Sequence, residues 1–126
     1  MAHKLFTVTP SSGADAFAIS EKTIVFGIES GTGTILRLIT GQNVEKNVLV
    51  DEDPAAIAAL MRYPLELTLS TGEALILAAD RVLTVETYGA DSIVKVLGLK
   101  EKKFVVDETP TAIKTLVNDL VNPDLP

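Results

Sequence analysis

Cysteine and tryptophan are absent from this chain, and histidine occurs once, at His3. Without cysteine there is no disulfide, no thiolate metal site and no thiol nucleophile, a composition that suits a reducing compartment. A single histidine so close to the start serves a Ser-His-Asp arrangement or a metal site only by folding back into the domain, and chain starts seldom do so. No apolar run reaches the roughly 18 residues that a membrane span needs. The opening Met1-Ala2-His3-Lys4-Leu5-Phe6 has no long apolar stretch, which predicts no signal peptide. A cytoplasmic protein with no membrane association is expected. Basic excess is also missing, because the formal net charge is −6. Coating nucleic acid by bulk charge is therefore excluded, while a local basic face remains open.

What is present is an aliphatic core and a repeat. The 126 residues are 47% hydrophobic, enough for one domain of ordinary size and too apolar for disorder. Val48-Leu49-Val50-Asp51-Glu52-Asp53-Pro54-Ala55-Ala56-Ile57-Ala58-Ala59-Leu60-Met61 is matched by Phe104-Val105-Val106-Asp107-Glu108-Thr109-Pro110-Thr111-Ala112-Ile113-Lys114-Thr115-Leu116-Val117. Upstream, Thr34-Ile35-Leu36-Arg37-Leu38-Ile39 aligns with Ser92-Ile93-Val94-Lys95-Val96-Leu97. Self-similarity of this kind predicts a duplicated unit. The expected fold is α+β, a single domain over 1–126 made of two tandem ββββα repeats, 1–62 and 63–126. They are expected to be related by pseudo-two-fold symmetry, with a mainly antiparallel sheet covered by two helices.

Within each repeat, β-branched and aliphatic runs between turn signals predict strands at 5–9, 16–19, 23–29 and 34–39, then at 65–69, 74–78, 82–87 and 92–97. Short runs at 47–50 and 103–106 feed the helices and are candidates for a fifth strand. Asp53 and Thr109 are expected as N-caps, followed by Pro54 and Pro110 at the first helical position. Tyr63-Pro64 and Asn122-Pro123 should stop the two helices. Residues 35–39 and 93–97 are apolar on both faces apart from Arg37 and Lys95. That pattern predicts cover on both sides, by helix on one and by sheet or a partner chain on the other.

Residues that could carry chemistry are few. Asp51-Glu52-Asp53 and Asp107-Glu108 are the densest carboxylates, and acidic side chains at a helix start explain them without a metal. Ser30-Gly31-Thr32-Gly33-Thr34 is glycine-rich, yet no Gly-Lys-Ser/Thr opens a helix there, so a hairpin turn is expected. No catalytic residue, metal ligand or cofactor is predicted. The basic residues make one pattern. Arg37 and Lys95 occupy equivalent strands, Lys22 and Arg81 fall close in the alignment, and Lys100, Lys102 and Lys103 cluster before the second helix. With Tyr88 or Phe26 to stack bases, they could line a groove for a phosphate backbone.

Two resemblances follow from these residues. Leu67-Thr68-Leu69-Ser70-Thr71-Gly72, the 82–86 strand and Lys103-Phe104-Val105-Val106-Asp107-Glu108 make the second half similar to the FlbD-type small proteins of flagellar operons. The tandem ββββα layout of the whole chain resembles the Whirly, PUR-alpha and PC-four-like single-stranded nucleic-acid binders. That second resemblance implies single-stranded DNA or RNA bound across the sheets by an oligomer. The leading expectation is a non-enzymatic single-stranded nucleic-acid-binding module. The alternative is a homo-oligomeric structural or assembly protein, in a phage-like setting, with no nucleic-acid binding.

Overall fold

The structure, a computed structural model, describes residues 5–121. His3 and the Asn122-Pro123 helix stop lie outside the described residues. Ten strands and two helices follow one another as β1 (Leu5–Val8), β2 (Phe17–Ser20), β3 (Ile24–Ser30), β4 (Gly33–Gly41), β5 (Val44–Val50), α1 (Pro54–Leu60), β6 (Pro64–Thr68), β7 (Ala74–Ala78), β8 (Val82–Tyr88), β9 (Asp91–Leu97), β10 (Glu101–Val106) and α2 (Pro110–Val121). Short 3-10 turns, Glu21–Thr23 and Ala79–Arg81, precede β3 and β8. The class is α+β and every strand pairing is antiparallel.

Five strands, not four, precede each helix. The short apolar runs before the helices extend backwards through polar residues to become β5 and β10. Both are edge strands of their sheets, and an edge tolerates residues such as Lys46 and Lys103 facing water. That is why hydrophobic periodicity reveals only their last few residues.

The strands form three sheets, ordered β5-β4-β3-β7-β6, β10-β9-β8 and β1-β2. The five-stranded sheet joins the two halves of the chain. Its junction pairs β3 with β7 through Phe26↔Leu77, Gly27↔Ile76 and Ile28↔Leu75. Alternate residues on a strand face opposite ways, so this sheet feeds two cores. Leu36, Leu38, Ile76 and Ala78 meet Phe6, Val8, Ile19 and Ile57 in one. Val25, Leu75 and Leu77 meet Leu65, Leu67, Val94, Val96 and Ile113 in the other. The two-sided apolar pattern of β4 is thereby explained. β9 repeats the pattern of β4: Val94 and Val96 are fully buried on one face, Ile93 and Lys95 are half-buried on the other, and only Leu97 at its end is 48% exposed.

Each helix start is tied back to a hairpin. Asp53 accepts from the Ala56 N–H at 2.8 Å, and the Thr109 hydroxyl accepts from the Ala112 N–H at 3.2 Å. Both are N-caps that satisfy an orphan donor. The preceding glutamates do something charge alone does not predict. Glu52 accepts from the Thr9 N–H at 2.9 Å and from its hydroxyl at 3.1 Å. Glu108 accepts from the Thr68 N–H with both carboxylate oxygens, at 3.0 and 3.1 Å. Thr34 and Ser92, each fully buried, donate to the Glu52 and Glu108 carbonyls. Isolated bridges Pro10↔Val50 and Leu69↔Val106 complete the two sets. The Asp-Glu-x-Pro segment thus binds the end of the first strand to the start of the helix in each half.

Candidate functional site

The basic residues of interest divide into three groups by where the strands place them. The first group is consumed by carboxylates. Arg37 on β4 donates from Nε to Glu45 Oε1 at 2.6 Å and from Nη1 to Asn47 Oδ1 at 3.1 Å. Lys102 on β10 reaches the same Glu45 oxygen at 3.0 Å. The Leu99 N–H donates to Glu45 Oε2 at 2.8 Å. Gly98 makes room, since a Cβ there would sit 2.9 Å from that carboxylate. Burial of Glu45, whose side chain is 6% exposed, raises its pKa. Arg37, the Leu99 N–H and Lys102 outweigh burial and hold the group at about 2, against an ordinary 4.5. Lys95 on β9 lies 3.5 Å from Glu86 on β8. Arg37, Lys95 and Lys102 are therefore engaged by acidic neighbours.

The second group converges. Arg81, in the 3-10 turn before β8, donates to the Leu97 carbonyl at 3.0 Å and to the Lys22 carbonyl at 2.5 Å. This brings the two turns together, one from each half. A cleft of about 370 Å³ opens there, with Lys22, Arg62, Asp80 and Arg81 around it and Leu83 and Leu97 on its walls. Arg62 is not among the basic residues that the repeat singles out. Its guanidinium lies 5.0 Å from the centre of the Tyr63 ring. Its only sequence signal is its place just before Tyr63-Pro64, a segment that reads as a helix stop.

The third group stays at the surface. Lys100 and Lys103 are exposed, and Lys103 stands directly opposite Lys95 in the β9–β10 register. Of the two aromatics expected to stack bases, Tyr88 is 57% exposed at the end of β8. Phe26 instead packs edge-on against Phe104, ring centres 4.9 Å apart and planes 70° apart, at the margin of the second core. Its ring is used in packing because β3 is the middle strand of the five-stranded sheet. Of the nine residues, Lys22 and Arg81 border one cleft, Arg37, Lys95 and Lys102 pair with carboxylates, and Phe26 packs against Phe104.

The acidic clusters take part in the fold. Asp51 accepts from the Ser11 hydroxyl at 2.8 Å, and the Glu52 and Glu108 carboxylates receive the hydrogen bonds described above. Among the described residues there is no group of three or more metal-ligating side chains placed to hold an ion, and no helix is long and apolar enough to cross a membrane.

The other unusual surface is apolar and belongs to strand edges. Among the described residues, β8 has no hydrogen-bonded neighbour on the side away from β9, and β2 has none on the side away from β1. Leu83 on β8 is 48% exposed. A groove of about 430 Å³ runs between β8 and α2, walled by Val82, Leu83, Val85, Pro110 and Val117. Unpaired N–H and C=O rows beside apolar side chains are a template for another strand. Comparisons with models of protein families, with curated proteins and with solved structures find no match to this chain.

Proposed function

We propose that this chain is a non-enzymatic homo-oligomeric assembly protein, built from two tandem copies of one strand-rich unit. The observation that carries the reading is that two of the edge strands, β2 in the first half and β8 in the second, are nearly free of charge. Edges of this kind are normally blunted by lysine, proline or a covering element. Phe17-Ala18-Ile19-Ser20 has no charge at all, and β8 has only Glu86, which is itself beside Lys95. The cations support the same reading, since Arg37, Lys95 and Lys102 are spent on carboxylates within the chain. Multi-angle light scattering after gel filtration tests it. A mass of two or more chains is expected at micromolar concentration. A single-chain mass at every concentration would sink the proposal.

A second reading, single-stranded nucleic-acid binding as in the Whirly-like group, is favoured by one observation. Lys22, Arg62 and Arg81 surround one cleft with Asp80 as the acidic residue there. Such a cleft suits one or two phosphates more than a long backbone path. In fluorescence anisotropy with a labelled oligonucleotide, binding through it should weaken as salt rises, with a slope of about −0.7 per phosphate neutralised. Arg81→Ala should reduce both affinity and slope. Absence of binding at low salt, or binding indifferent to salt, removes this reading.

A further inference from the structure

We propose that β2 of one copy adds to the open edge of β8 in the next, so that copies join head to tail through a second five-stranded sheet. This rests on the assembly reading and specifies its geometry. The three-stranded sheet β10-β9-β8 and the two-stranded sheet β1-β2 are the two parts of an order that the chain already builds once, as β5-β4-β3-β7-β6. In that completed sheet the second hairpin, β6-β7, is laid against β3. The first hairpin, β1-β2, has no such partner strand, and β8 has no such hairpin.

The register follows from position. β3 and β8 each begin directly after a 3-10 turn, and β2 and β7 each end directly before one. Counting from those turns, Phe26, Gly27 and Ile28 correspond to Thr84, Val85 and Glu86. Leu77, Ile76 and Leu75 correspond to Ile19, Ala18 and Phe17. The junction Phe26↔Leu77, Gly27↔Ile76, Ile28↔Leu75 thus translates into Thr84↔Ile19, Val85↔Ala18 and Glu86↔Phe17 between copies.

Burial agrees with a missing strand at β8. Val25, the second residue of β3, is fully buried, whereas Leu83, the second residue of β8, is 48% exposed. In the first core Ile76 and Ala78 of β7 pack with Ala58 and Met61, beside α1. The corresponding space in the second half is the groove between β8 and α2. The side chains that the register would bring to this edge, from Ala18 and Ser20, are small and uncharged. Because the two joining edges differ, the contact is heterologous and each copy offers one of each. Such contacts close into rings or run on as filaments.

Disulfide trapping tests the register, and the cysteine-free chain gives a silent background. Opposed residues of an antiparallel pair have Cα atoms about 4.5–5.5 Å apart, within disulfide range. Ala18→Cys and Val85→Cys are made singly, co-expressed and oxidised, with Phe17→Cys and Glu86→Cys as the adjacent pair. A disulfide-linked species of twice the chain mass is expected in a mixture and in neither of its variants alone. The Ala18→Cys/Val85→Cys double variant should give a ladder of linked multimers. If light scattering shows a multimer and no mixture cross-links, this pairing is wrong while the assembly reading stands. A double variant that oxidises only within single chains overturns the pairing in favour of self-closure. A monomer by scattering overturns both.

Discussion

The Gly33→Ala variant is expected to unfold about 10 °C below the parent chain. A Cβ built at Gly33 would lie 2.1 Å from the Val50 carbonyl oxygen and 3.3 Å from its carbon. Those are backbone atoms of the last β5 residue, held by the Thr34↔Val50 pairing and the Pro10 bridge. They cannot swing aside as a side chain would. Relief requires separating the start of β4 from the end of β5, where α1 is also anchored through Glu52. Overpacking of this kind costs roughly 1–3 kcal/mol, sometimes more, and each kcal/mol shifts the midpoint of a domain this size by about 4 °C. The second half supplies a control. Ser30↔Gly33 closes the β3–β4 hairpin, and Tyr88↔Asp91 closes β8–β9. Asp91 already carries a Cβ, so Asp91→Ala should move the midpoint by only about 2 °C, as surface substitutions do. Equal shifts in the two variants would show that the close approach at Val50 is not what limits Gly33.

Acid should destabilise the fold through Glu45. The folded carboxyl is held at about 2 against 4.5, so its contribution is fully present above the unfolded value. It fades as pH falls from about 5 toward 2, because the unfolded chain takes up the proton first. A depression of that size corresponds to a loss on the order of 3 kcal/mol. Urea unfolding measured across this range should show the loss in the parent chain. Glu45→Gln should flatten the slope and be less stable at neutral pH, since Arg37 and Lys102 then share no anion. Parallel pH curves for the two proteins would mean that other carboxylates carry the acid response. The effect joins the halves, because Arg37 and Glu45 lie on β4 and β5 whereas Lys102 and Leu99 belong to β10 and the turn before it.

Several elements were legible because local chemistry decides them. Pro54 and Pro110 after an oxygen-bearing cap place two helix starts, and Ala74–Ala78 is read to the residue from an aliphatic run between turns. The β5 and β10 strands were only half legible. Edge position lets polar residues into a strand, and no periodicity survives there. The 3-10 turns were missed because Glu21–Thr23 and Ala79–Arg81 share no sequence signal, though together they place Arg81 against Lys22. Expecting Arg37 and Lys102 to meet phosphate, and the acidic Asp-Glu segments to serve only helix-start charge, has a common source. Which amide a glutamate captures depends on segments 40 or more residues apart, as in Thr9 with Glu52 and Thr68 with Glu108, and Lys102 likewise meets Glu45 from the other half, whereas Arg37 meets it across the β4–β5 register. One sequence lists the groups without saying which of them meet.

The β3–β7 junction also constrains how the chain can be made. As synthesis proceeds from the first residue, β3, β4 and β5 can pair while α1 forms, yet one edge of β3 stays bare. Ile76 and Ala78, which complete the first core, emerge only with β7. Until residue 78 is made, the first half therefore lacks both the strand that pairs β3 and two side chains of its core. Closing the β3 edge is thus a late step in chain order, left to the β6–β7 hairpin.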